Sequence, residues 1–154
     1  MKTFLKAFAI LFVVSCFVSC KGDEEGFEPA TLEVTPNNIS GYWMLSEYNG
    51  MEIPEGTFCY VQYIRKDRKF VMYQKFDSMY PRCITGVFAI ENDIRKGYVL
   101  SGKYDYGMGE WNNDYIVSAL YADSMVLVAD SENGGVCKYL RCNEIPADVL
   151  EEAK

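Results

Sequence analysis

Eight short runs rich in tyrosine, valine, isoleucine and phenylalanine occupy residues 42–48, 58–64, 69–76, 83–90, 98–106, 113–120, 125–130 and 136–142. β-Branched and aromatic side chains suit a pleated, half-buried backbone, so each run reads as a strand. Between them lie turn-forming stretches such as Asn49-Gly50, Lys66-Asp67-Arg68, Glu91-Asn92-Asp93, Asp123-Ser124 and Asn133-Gly134-Gly135. Gaps this short close hairpins, and none has room for the helical crossover that parallel strands require. The expected fold is therefore all-β, an antiparallel meander. An open eight-strand meander leaves two hydrogen-bonding edges exposed. Closing it gives an up-and-down barrel whose interior fits packed side chains or one small ligand. Two stacked sheets would be the other solution, but they normally use long Greek-key connections that this chain does not contain.

Alternation fixes which side chains face inward. In the fifth run Tyr98, Leu100, Gly102, Tyr104 and Tyr106 share one face, and Val99, Ser101, Lys103 and Asp105 share the other. A period of two puts the tyrosine face toward the interior. The third run sets Phe70, Met72, Gln74 and Phe76 on one face, although Val71 and Tyr73 opposite are apolar as well. The tail after Cys142 contains Pro146 and then a stretch at 148–153 that suits one or two helical turns.

The strands are preceded by a leader. Lys2 and Lys6 make a positive start, and residues 7–18 form an apolar run too short for a membrane span of about 20 residues. The run ends in Val18-Ser19-Cys20, which resembles the lipobox of bacterial lipoproteins, with Cys20 as the acylated residue; Val14-Ser15-Cys16 fits the same pattern. Lys21-Gly22-Asp23-Glu24-Glu25 follows and resembles the signal that carries Bacteroidetes lipoproteins to the outer face of the outer membrane. These features divide the chain into a signal peptide at 1–19, a lipidated acidic tether at 20–39 and a barrel domain at 40–154. They imply an outer-membrane, lipid-anchored, surface-exposed protein of a Gram-negative bacterium.

Loss of Lys2 and Lys6 with the leader leaves 13 basic side chains against 22 acidic ones, a net charge of −9. Nucleic acid requires a basic surface, so it is not an expected partner. Anionic lipid is disfavoured for the same reason, and the membrane is reached through the anchor alone. Cys59, Cys83, Cys137 and Cys142 remain beyond the anchor. An exported protein meets an oxidising compartment, which makes disulfides feasible. Cys59 and Cys83 fall on strands separated by one other, about 10 Å apart at ideal spacing. The expectation is at most one bridge, Cys59 to Cys83, if the barrel rim puckers.

Gly41-Tyr42-Trp43 opens the first strand, and Arg141 lies near the end of the last. A Gly-x-Trp and a distant arginine in these places resemble the lipocalins, in particular the lipocalin-like lipoproteins of the Bacteroidetes, over residues 40–142. That resemblance implies a calycin-type barrel in which Trp43 crosses the closed base and Arg141 packs over it. Gly41, Trp43 and Arg141 would form a structural latch. The chain departs from classical lipocalins in its short connection at 49–57 and in lacking a recognisable second motif.

No histidine is present. Imidazole bases, His-containing triads and most zinc sites are thereby removed, and no phosphate loop or nucleophile elbow occurs. Neither a catalytic role nor a cofactor or metal is expected. Asp105, Glu110 and Asp114 are sequence neighbours that read as a solvated loop. With the latch at the base, the opposite rim is the mouth, and inward residues near it are the binding candidates. Counting by twos from Trp43 gives Glu47, and counting back from Arg141 gives Tyr139 and Cys137. The third and fifth runs supply Gln74, Phe76, Tyr104 and Tyr106, and Tyr115 and Trp111 lie at the neighbouring strand start and loop. Flat rings, phenols, an amide and one carboxylate suit a small apolar or amphipathic ligand. The alternative is a side-chain-filled barrel serving as a protein-interaction module, an inhibitor or an accessory subunit of an outer-membrane complex. Labelled palmitate should enter the wild type and be lost from Cys20→Ala; undiminished label in that variant would place the anchor elsewhere.

Overall fold

The computed structural model describes residues 29–76 and 80–153, so the leader, Cys20 and the acidic start of the tether lie outside the described residues. A short helix α1 (Pro36–Ile39) leads into strand β1 (Gly41–Tyr48), a two-residue return β2 (Met51–Glu52), β3 (Phe58–Ile64), β4 (Lys69–Lys75) and β5 (Arg82–Asp93). Then come β6 (Gly97–Tyr104), β7 (Tyr115–Leu120), β8 (Ser124–Ala129), β9 (Val136–Cys142) and a C-terminal helix α2 (Ala147–Glu152). Each strand from β3 onward pairs antiparallel with its predecessor in sequence, save that β3 pairs with β1. β1 pairs on its other side with β9, in the register Trp43↔Arg141 and Met44↔Leu140. That pairing closes eight strands into an up-and-down barrel and leaves no long edge unpaired. β2 is an appendage, bonded only to the end of β1 through Glu47↔Glu52 and Tyr48↔Met51.

The core gathers at the end where β1 begins and β9 ends. Trp43, Ile39, Phe70, Leu100 and Met125 are fully buried there and along the barrel axis. Trp43 donates from Nε1 to the Ile39 carbonyl at 2.7 Å, so α1 serves as a plug over the base and its last carbonyl is satisfied by the indole. Thr35 caps this helix by accepting from the Asn38 amide at 3.2 Å. The Arg141 guanidinium carbon stands 4.1 Å from the centroid of the Trp43 ring. Its nitrogens donate to Ser40 O at 2.8 Å, Asn38 O at 2.7 Å and Ala122 O at 2.8 Å. One side chain thus ties the segment before β1, the β7–β8 turn and β9 together over the tryptophan. Gly41 permits this: its φ of +126° is strained for any L side chain, and a Cβ there would lie 2.6 Å from Arg141 Nη1.

Three expectations change. The acidic tether is expected to run to residue 39, yet Val34 and Ile39 belong to the buried core and the Leu32 amide donates to Leu120 O at 2.7 Å. Residues 32–39 therefore pack on the barrel, because the apolar Val34 and Ile39 cover the base that would otherwise face water. The strand ends also differ, since β6 stops at Tyr104 and the chain turns through Tyr106 at φ +60°. Last, all four described cysteines are free, so the Cys59–Cys83 bridge is absent. Register explains it. Cys59 sits opposite Gln74, whereas Cys83 sits opposite the adjacent Tyr73, which puts the two sulfurs on opposite faces of the wall. Cys59 is 3 % exposed and Cys83 lies on the outside, so puckering of the rim would not bring them together.

Candidate functional site

Above the packed base the barrel is hollow. A cavity of about 590 Å³ opens at the end opposite the latch, within the size range of small-molecule sites. Its wall alternates with the strands. On β3, Cys59, Val61 and Tyr63 are buried while their neighbours are not, and Cys59 and Tyr63 reach the cavity. Met72, Gln74 and Phe76 come from β4 and the residue after it, Tyr104 from β6, Tyr115 from β7, Leu127 from β8, and Cys137 and Tyr139 from β9. The connection at 49–57 adds Ile53, Pro54 and Thr57 at the mouth.

Gln74, Phe76, Tyr104, Tyr115 and Tyr139 are therefore brought together around one space, with Trp111 beside them. Glu47 and Tyr106 are not. Between Leu45 and Glu47 the β1–β9 register shifts by one residue, a β-bulge at Ser46. The extra residue inverts the parity, so Tyr48 faces the cavity and Glu47 turns outward, where its Oε1 pairs with Lys138 Nζ at 2.6 Å. Tyr106 is 95 % exposed because its backbone has already left the β6 plane. Leu45, Tyr48, Tyr63, Asn112 and Asn113 join the wall beyond the expected set. Counting by twos along the β3 run would have found Tyr63, whereas the bulge that selects Tyr48 leaves no mark in the residue pattern.

The wall has one irregular panel. β6 and β7 pair only at Val99↔Ile116 and Leu100↔Tyr115. Toward the mouth the segment 105–114 folds back and takes the place of β7: the Tyr104 amide donates to Gly109 O and the Trp111 amide to Gly102 O, each at 2.8 Å. The Trp111 ring then lies flat on Gly102, where a Cβ would fall 2.1 Å from Cε2. Glycine is required at 102 for lack of space. Trp111 meets Phe70 and Tyr115 edge-on, with centroids at 5.2 Å and 6.0 Å. Its Nε1 is buried without a hydrogen-bond partner among the described residues.

Among the described residues, none that lines the cavity carries a formal charge. Burial pushes the Cys59 thiol from 9.0 up to about 12, against a smaller opposing effect of its hydrogen bond with Tyr139. Burial also raises the Tyr115 phenol to about 12 and lifts Tyr63, Tyr139 and Cys137 above their ordinary values. The site is thus a neutral, largely apolar chamber at physiological pH. A thiol held protonated is a poor nucleophile, so Cys59 is not poised for covalent chemistry. Among the described residues no group of three or more His, Cys, Asp or Glu side chains is placed to hold a metal ion.

A crystal structure of a lipocalin-like protein from Bacteroides uniformis ATCC 8492 resembles this chain with a TM-score of 0.49 and 13 % identity, over 68 % of this chain and 99 % of that one. No family model and no curated protein matches the chain. The lipocalin-like character of the fold rests on the barrel itself, eight strands closed between β1 and β9 over Trp43 and Arg141.

The raised acidities carry a stability consequence. Between pH 9 and about 12 the unfolded chain has released the Cys59 proton while the folded chain keeps it. The unfolded state then binds fewer protons, so stability falls as pH rises through that window and is fully present below it. The urea midpoint should drop from pH 8.5 to pH 11, and Cys59→Ala should make the drop shallower. An identical slope in the variant would show that this thiol is not the group responsible.

Proposed function

We propose that the protein is a non-catalytic binding protein that holds one small apolar or amphipathic molecule inside its barrel, and that it does so as a lipid-anchored protein at the outer-membrane surface. The observation that carries the first part is the cavity of about 590 Å³, walled by aromatic and aliphatic side chains, that the closed barrel leaves open at one end. A barrel built only for stability gains by filling such a space, because unfilled volume forfeits dispersion contacts. The second part is supported by Ser19-Cys20 and the acidic residues that follow it. The absence of histidine from the chain and the protonated state of Cys59 support a role without catalysis.

The rival role of a protein-interaction module gains support from apolar side chains beside the mouth: Met51, Met108 and Tyr106 are 67, 61 and 95 % exposed. Aromatic and methionine side chains favour interfaces. Its premise of a filled barrel has no support, so docking at the rim is the form in which it survives.

Native mass spectrometry of the mature domain, incubated with a lipid and small-molecule extract of its host, should reveal a one-to-one adduct that disappears on denaturation. A chain that remains bare, and that also fails to bind a neutral solvatochromic dye such as Nile red, would contradict ligand binding and favour the rim.

A further inference from the structure

The described lining of the cavity offers hydrogen bonds but no charge. The side chains of Tyr63, Tyr104 and Tyr115 line it with no side-chain hydrogen bond among the described residues, and Tyr139 lines it beside the Cys59 thiol. Gln74 adds an amide in the same condition near the mouth. A phenol can donate or accept, and among the described residues only Trp111 Nε1 is both buried and without a partner, so these hydroxyls face the open cavity. Their hydrogen bonds can be taken over from water by something that enters.

The interior constrains what enters. The connections at 49–57, 105–114 and 130–135 carry several carboxylates, but Asp130 is paired with Lys96, and Lys75 and Arg82 stand at the ends of the strands joined by the fourth connection, so the rim itself carries both signs. A carboxylate would lose its hydration in a chamber whose described lining has no cation to pair it. An oxygen on a neutral molecule meets no such obstacle. The aromatic side chains Phe76, Trp111 and Tyr104 in the wall suit a ring better than a flexible chain.

Building on the ligand-binding reading above, we infer that the barrel selects uncharged ring compounds bearing a carbonyl or hydroxyl oxygen, which the tyrosine hydroxyls facing the cavity recognise, and discriminates against their carboxylates. The chemistry separates such molecules from free fatty acids and other anionic amphiphiles.

Calorimetric titration of the folded domain at pH 7.4 with three naphthalenes of one shape tests it: 2-acetonaphthone, 2-ethylnaphthalene and 2-naphthoate. The ketone should bind at least tenfold more tightly than the carboxylate and about threefold to tenfold more tightly than the hydrocarbon. In the double variant Tyr104→Phe/Tyr115→Phe the ketone-to-hydrocarbon ratio should fall toward one. Carboxylate binding equal to that of the ketone, or a ratio unmoved by the double variant, would overturn the inference. If the hydrocarbon binds and the ketone gains nothing over it, recognition by the phenols fails while ligand binding by the barrel stands. If none of the three binds, both fail.

Discussion

The packing of Arg141 over Trp43 is the contact on which the rest of the molecule depends. A meander of eight strands has no intrinsic reason to close, and the last pairing, β1 with β9, joins residues about a hundred positions apart in sequence. Closing so long a loop costs entropy that only contacts at the seam can offset. Arg141 supplies three of them to backbone carbonyls at Asn38, Ser40 and Ala122, together with a cation–π contact to a ring that is wholly buried. Guanidinium is suited to this place because it stays charged, is planar and donates in several directions at once. Gly41 makes room for it, and α1 completes the cover from the other side.

The same contact gives the barrel its polarity. Wholly buried packing covers the latched end, where Ile39, Trp43 and Leu120 lie, while other core residues such as Leu45 and Leu127 continue up to the cavity. The far end is left with strand termini, long connections and a chamber that side chains do not fill. Two local irregularities shape that chamber. The bulge at Ser46 turns Tyr48 inward and sends Glu47 out to Lys138, removing the one carboxylate that alternation would have placed inside. The late start of β7 at Tyr115 leaves residues 105–114 to complete the wall, seating Trp111 on Gly102. Both changes make the interior more apolar and more aromatic, and both depend on backbone geometry.

That distinction explains how much could be read in the residues alone. The strand runs, their antiparallel order and the closed barrel follow from composition, period and gap length, and these constraints act on every residue of a run at once. The latch was legible through the resemblance carried by Gly41, Trp43 and Arg141, which stand on the two strands of the seam at one end of it. Gln74, Phe76, Tyr104 and Tyr139 were legible as cavity residues because the period of two holds along their strands up to that point, whereas Tyr115 was reached only through its place at a strand start, on a strand whose register shifts between Val117 and Ala119. Glu47 and Tyr106 were misplaced because each lies just beyond a single residue that breaks the period, a bulge before one and a departure from the strand before the other. One residue inverts every facing that follows it. Cys59 and Cys83 fail to pair for the same reason, since a difference of one in register puts them on opposite faces.

The account holds that the latched base carries stability and the open end carries binding, and that the two are separable. Arg141→Met tests this most directly, because it keeps an apolar stem over Trp43 while removing the charge and the donors. Urea unfolding and a 2-acetonaphthone titration on the same preparation should give a loss of roughly 2–4 kcal/mol in unfolding free energy, from the lost cation–π contact and unsatisfied carbonyls. The dissociation constant should stay within about twofold of the wild type, as expected for a site that shares no partners with the substitution. A variant as stable as the wild type, or one that stays folded and stable but has lost its affinity, would contradict the separation of base from mouth.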